Sequence, residues 1–207
     1  MQKKVIYFLL IAIIILSSAL AYKINKATSY NPDLYAQVYE EYNKITSLNT
    51  MSNGTLDSVS SNIPKKTTYI SKTASDRAPK TIAAIKIPKI NISYPVINDY
   101  SEENLNIAPV KFIGPEPNTI GNFVIAGHNN WNKSFFSNLN KLKEDDTVEL
   151  TDINGNNLTY KVSNIYEVEQ DDFSCLNQDT NGTIELTLIT CVKHQKNKRL
   201  IVKCKAI

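Results

Sequence analysis

Hydrophobic and polar positions divide this chain into three unequal parts. The first is an uninterrupted apolar run from Val5 to Ala21, preceded by Lys3 and Lys4. It carries no charge, and its length sits at the short end of the ~17–25 residues a bilayer-spanning helix needs. Positive residues on its N-terminal flank predict a cytoplasmic tip (1–4), a transmembrane anchor (5–21) and the rest of the chain outside the cell. Ser18-Ala19-Leu20-Ala21 also fits the small-residue pattern of a signal-peptide cleavage site. The length and apolar character of the run favour a retained helix.

The second part, 22–80, is polar. Pro32 to Leu48 fits a helix, with Leu34, Val38 and Ile45 near one stripe and Asn31 ahead of Pro32 as a start signal. From Thr46 to Lys80 the chain is rich in Ser, Thr, Asn and Lys without apolar periodicity, which reads as a linker. The expectation is an extracellular stalk over 22–80, ahead of a compact domain over 81–207.

In the third part the pattern switches to short strands. Thr81–Ile87 ends at Pro88. Ile92–Ile97 contains Pro95, which suggests an edge or a bulge. Asn122–Ala126 lies between Gly121 and Gly127. Thr147–Thr151 and Leu158–Val168 flank an Asn154-Gly155 turn. Thr183–Val192 and Leu200–Ala206 close the chain. Ser101–Ala108 opens like a helix, with Ser101 as cap and Glu102 and Glu103 in the first turn. Ser134–Leu142 fits a second short helix. Many short strands with few helices predict a mainly β fold, a closed or nearly closed barrel.

Charge changes this picture little. The 207 residues carry a formal charge of +3, dispersed along the chain, and no nucleic-acid motif is present, so nucleic acid is not an expected partner. Reactive residues are scarce. The cysteines are Cys175, Cys191 and Cys204, the histidines His128 and His194, the arginines Arg77 and Arg199. No Cys-x-x-Cys spacing suggests zinc, and no metal or cofactor is expected.

Alternation along Thr183–Cys191 puts Ile184, Leu186, Leu188 and Thr190 on one face and Glu185, Thr187, Ile189 and Cys191 on the other. The first face is the better core, so Cys191 points away from it at a strand end. On alternation alone, a small buried hydrophobe remains the commoner fate of a free cysteine. Cys204 alternates with Leu200 and Val202 and reads as core. Cys175 lies in a polar segment, either exposed or paired with Cys204. His128 follows Gly127 just past a strand end, well placed to line a cleft. His194 sits in a polar turn and reads as solvated. The segment Val192–Lys198 makes a hairpin loop whose antiparallel arms bring Arg199 close to Cys191. A guanidinium there can bind a developing oxyanion.

Taken together, these residues resemble the sortase family. Thr187-Leu188-Ile189-Thr190-Cys191 is similar to its Thr-Leu-x-Thr-Cys signature, Ala126-Gly127-His128 to its strand-end histidine, and Arg199 to its arginine at the start of the last strand. The resemblance covers roughly Thr81 to Ile207. It implies an eight-stranded β-barrel and a Gram-positive surface transpeptidase, with Cys191 as nucleophile, His128 as acid and base, and Arg199 as substrate or oxyanion ligand. It also implies surface proteins bearing a Leu-Pro-x-Thr-Gly-like sorting signal as one partner and a peptidoglycan precursor or other amine as the second, at the cell membrane. Neither a C-terminal apolar span nor a lid segment appears, which argues against the pilin-polymerising class. Two other readings compete: a surface cysteine hydrolase, and a membrane-tethered β-barrel binding module in which Cys191 and His128 are structural.

Overall fold

A computed structural model describes residues 32–52, 79–130 and 134–207. The expected cytoplasmic tip, the expected anchor and most of the expected stalk lie outside these residues. Among the described residues no helix is long and apolar enough to cross a membrane.

The described residues form eight strands: β1 (Thr81–Ile87), β2 (Ile92–Ile97), β3 (Val110–Ile113), β4 (Gly121–Ala126), β5 (Thr147–Asp152), β6 (Asn157–Glu169), β7 (Ile184–Val192) and β8 (Gln195–Ala206). They close into a barrel in the order β1-β2-β3-β4-β7-β8-β6-β5. Two junctions are parallel, β2 beside β3 and β4 beside β7. Parallel neighbours cannot be joined by a tight turn. The short helix α2 (Glu102–Ile107) makes the first crossover, capped by Ser101 Oγ, which accepts from Asn104 N at 3.1 Å. The β5–β6 hairpin makes the second.

The core follows strand alternation. Phe123 and Ile125 of β4, Leu186 and Leu188 of β7, Val202 and Cys204 of β8, and Tyr160 and Val162 of β6 point inward and are buried. Tyr160 keeps its hydroxyl satisfied by donating to Asn118 Oδ1 at 2.9 Å, as a buried polar group must.

Two local expectations differ from the fold, and one strand had no counterpart among them. β3 is too short to show alternation, with one buried residue in four, and it escapes a periodicity search. Ser134–Leu142 yields only a single 3-10 turn, Leu139–Lys141. Phe135 lies in the left-handed region (φ 51°) and bridges antiparallel to Asn129, so the chain doubles back where a helix would have to run on. Its apolar residues Phe135, Phe136, Leu139 and Leu142 are nonetheless buried. The β7–β8 loop is shorter than expected, because β8 begins at Gln195 and leaves Lys193 and His194 as the turn.

The helix expected in the stalk forms as α1 (Pro32–Ser52). It does not stand apart from the barrel: Leu34–Ile207 makes one compact unit. Val38 is fully buried in a cluster with Ile97, Leu105, Ile107, Ala108 and Val110. Thr81 N donates to Glu41 Oε2 at 2.8 Å, and the Thr81 hydroxyl donates to Val38 O at 3.2 Å. Burying an aliphatic side chain of this size contributes roughly 1.5–3 kcal/mol, so α1 stabilises the wall built from β2, β3 and α2.

Burial pushes the Cys204 thiol up to about 12 from its ordinary 9.0. Below pH 9 the thiol is neutral whether the chain is folded or not, and it does not affect stability. Above pH 9 the unfolded chain ionises it and the folded chain does not, so stability falls as pH rises towards 12. At pH 10 the expected loss from this group is on the order of 1 kcal/mol. Cys204→Ala costs stability at pH 8 by removing buried volume, but it lacks this alkaline loss. Urea unfolding under reducing conditions should show the gap between parent and variant narrowing by that amount from pH 8 to pH 10, and a constant gap would contradict the assignment.

Candidate active site

β4 and β7 run side by side in the same direction, with Ala126 opposite Ile189. Their C-terminal ends therefore reach the same rim of the barrel. Gly127 N donates to Ile189 O at 3.0 Å. The Thr190 hydroxyl, buried, donates to Gly127 O at 2.7 Å. Asn129 Nδ2 donates to Cys191 O at 2.8 Å. These three bonds stitch residues 127–129 to residues 189–191 and hold His128 beside the end of β7. From the other side, Phe136 N donates to His128 O at 3.0 Å.

Antiparallel pairing sets Arg199 of β8 opposite Cys191 of β7 and opposite Val168 of β6. Arg199 Nη1 donates to the carbonyls of Lys196 at 2.9 Å and Lys198 at 3.0 Å. Those bonds orient the guanidinium, and the N–H groups on Nε and Nη2 are the ones that can serve a substrate. Cys191 is exposed, while His128 and Arg199 are half-buried. All three line one cleft of about 280 Å³. The expected site residues are thus brought together. His194 is exposed in the β7–β8 turn at φ 64° and is not on the cleft wall.

The other two cysteines are not at the cleft's reactive centre. Cys175 and Cys204 are both free and both buried, so Cys175 is neither exposed nor paired with Cys204. Cys204 faces the core. Cys175 lies on the 3-10 turn Ser174–Leu176, and burial pushes its thiol up while the Lys203 ammonium opposes this.

The wall around the three residues is built from segments with no motif in the sequence. Tyr100 and Phe112 meet edge to face, with centroids 5.2 Å apart, and both line the cleft. The loop between β6 and β7 contributes Asp172 and the exposed Phe173. Asp172 Oδ1 accepts from Ser174 N at 2.8 Å, and bonds from Ser174 hold its carboxyl below the usual range. Thr187, on the face of β7 expected to be open, is fully buried, and its hydroxyl donates to Asn122 Oδ1, whose amide nitrogen in turn bonds the carbonyls of Cys175 and Asn177 in this loop. One sequence signal pointed there: Asn122 is a polar residue opening an otherwise apolar strand, and it too is fully buried.

An exposed thiol, an imidazole and a guanidinium on one wall supply a nucleophile, a proton carrier and a cation for a developing oxyanion. That combination suits acyl transfer through a covalent intermediate.

The family model for the sortase domain matches residues 85–207. Sortase A of Bacillus anthracis is 34% identical over 125 residues, covering 59% of this chain and 58% of that protein; the chain thus spans rather more than half of that relative's length. Among solved structures, the Clostridium perfringens sortase D5 transpeptidase is similar at a TM-score of 0.56 and 30% identity, covering 61% of this chain and 79% of that one. The Clostridium perfringens sortase C solved with the C-terminal cell wall sorting motif superposes at a TM-score of 0.57 and 21% identity, covering 92% and 98%; at that identity the likeness is one of fold.

Gly127 has a packing role that can be tested. A Cβ at this position would stand 2.7 Å from Phe136 Cδ2 and 2.9 Å from its Cγ. Phe136 is fully buried in the core, so it cannot swing clear. Gly127→Ala should therefore cost about 1–3 kcal/mol, the usual range for overpacking, read by urea unfolding. A variant as stable as the parent would show that the ring yields freely.

Proposed function

The chain belongs to the sortase family, and from that premise we propose that it is a cysteine transpeptidase of the bacterial surface. The observation that carries the reading is the convergence of Cys191, His128 and Arg199 on one cleft at the shared end of β4 and β7. The Cys191 thiolate attacks the Thr carbonyl carbon of a Leu-Pro-x-Thr-Gly-like signal. Arg199 donates to the oxygen as it gains charge. The C–N bond then breaks, His128 gives its proton to the departing Gly amine, and a thioester to Cys191 remains. An acceptor amine attacks the thioester carbon and passes a proton to His128, and the Cys191 thiolate leaves. The balance is one peptide bond broken and one amide formed, with the enzyme restored.

The acyl donors in this reading are surface proteins with a C-terminal sorting signal, and the acceptor is a peptidoglycan precursor or another amine. Residues 5–21 serve as a membrane anchor with a cytoplasmic N-terminus and the catalytic domain outside. Transfer to water is the competing outcome. Products formed by the full chain in detergent from a signal peptide, with and without added amine, separate the two by mass: a ligated product supports transpeptidation, and hydrolysis alone in both arms refutes it.

Cys191→Ala should abolish product formation while leaving the melting curve unchanged. Arg199→Lys should lose about a hundredfold in kcat, since one oxyanion donor is worth that much or more. A lysine keeps the charge but cannot bond the Lys196 and Lys198 carbonyls while presenting planar donors to the substrate. Arg77→Lys, in the expected linker, is the control. Near-parent turnover in Arg199→Lys would leave Arg199 only a role in attracting substrate.

A further inference from the structure

The strap between β6 and β7, residues 170–183, supplies Gln170, Asp172, Phe173, Cys175 and Leu176 to the cleft wall. Its regular structure is the single 3-10 turn Ser174–Leu176. Bonds within it are local: Asp172 Oδ1 accepts from Ser174 N, Asn177 Oδ1 from Asp179 N, and the Thr180 hydroxyl donates to Thr183 O. They shape the strap without attaching it to the barrel. Its two ends are tied by Gln170 N to Asn197 O at 2.7 Å and by Gly121 N to Thr183 O at 3.1 Å.

Between those ends the hydrogen bonds to the barrel come chiefly from one side chain. Asn122 of β4, fully buried, donates from Nδ2 to Cys175 O at 3.0 Å and to Asn177 O at 3.0 Å. Its Oδ1 accepts from the Thr187 hydroxyl at 2.6 Å. Both amide N–H groups are spent on strap carbonyls, and the oxygen is locked by β7, so the amide can neither flip nor turn without orphaning a buried group. Lys203 Nζ adds a longer bond to Cys175 O at 3.4 Å, itself held by Glu185 at 3.7 Å.

We propose that Asn122 is a positioning residue of this site: by clamping residues 175 and 177 it holds the strap as the wall against which the acyl-donor peptide lies. The proposal rests on the reading that this cleft takes such a peptide. Asn122 itself is not on the cleft wall and takes no part in bond making. Its loss weakens peptide binding, and the chemistry at Cys191, which sits on the rigid end of β7, continues.

Asn118 offers a matched comparison. It donates from Nδ2 to Leu150 O at 3.1 Å and Asn156 O at 3.0 Å and accepts from the Tyr160 hydroxyl. This is the same three-bond pattern, placed away from the cleft-lining residues. Asn122→Asp keeps the shape and removes the donors. In steady-state kinetics on one signal peptide with saturating amine, it should raise KM about tenfold and leave kcat within about threefold. In a Cys191→Ala background it should also speed modification of Cys175 by a thiol reagent about tenfold, read by peptide mass. Asn118→Asp should lower the melting temperature and move neither readout. If Asn122→Asp does not fold, Thr187→Val, which frees the amide oxygen, should shift both readouts in the same direction by less. An unchanged KM, an unchanged Cys175 rate, or an equal rise in KM from Asn118→Asp overturns the proposal. A parent that turns over no peptide sinks the acyl-transfer reading instead, and the Cys175 rates then still decide whether Asn122 holds the strap.

Discussion

The parallel pairing of β4 with β7 is the constraint on which the site depends. These strands are separated in the chain by the whole β5–β6 hairpin, yet they lie side by side over six matched residue pairs. Because they point the same way, the residues just beyond β4 and those at the end of β7 share one rim. Had the pairing been antiparallel, His128 and Cys191 would stand at opposite ends of the barrel. Inward-facing Phe123, Ile125, Leu186 and Leu188 hold the pair from within. Thr190 and Asn129 lock it at the rim, each spending a side-chain donor on a backbone carbonyl of the other segment. Strands therefore carry Cys191 and Arg199, His128 follows one directly, and β3 and the β6–β7 loop help to build the wall.

The three cysteines show how the fold separates chemistry from packing. Cys191 is exposed at a strand end, whereas Cys175 and Cys204 are buried, and burial raises both of their thiols. A raised thiol is largely neutral near pH 7 and a poor nucleophile. Polar side chains inside the fold are handled as strictly. Among the described residues no buried side-chain nitrogen or oxygen lacks a partner. Asn118 and Asn122 satisfy this rule by bridging a strand to a segment without regular structure, at two different places on the barrel.

Much of this architecture was legible along the chain, for physical reasons. β1 and β2 have the bounds that their apolar runs and flanking Pro88 suggested. Ser101 caps a helix because its hydroxyl can take an amide that the first turn leaves unpaired. The inward face of β7 is the one that alternation chose, and Cys204 is core for the same reason. The misses also have physical causes. Four-residue β3 is shorter than any period can reveal. The turn at Phe135 depends on a backbone conformation that apolar residues rarely adopt. The stripe on α1 was visible, but whether it faced solvent or a protein wall depended on Ile97, Ile107 and Val110 lying opposite.

By itself, then, the sequence determined the β character of the domain, the inward faces of its strands, and the closeness of Cys191 and Arg199. Each of these follows from local periodicity or from a short antiparallel hairpin. Only tertiary structure decided that His128 joins them, since that needs strands far apart in the chain to pair in parallel. It alone decided that Thr187 and Asn122 lie under a strap, because a face is open or closed according to what another segment lays over it. It alone decided the fate of Cys175, whose polar neighbours in the chain disguise a thiol that the fold encloses.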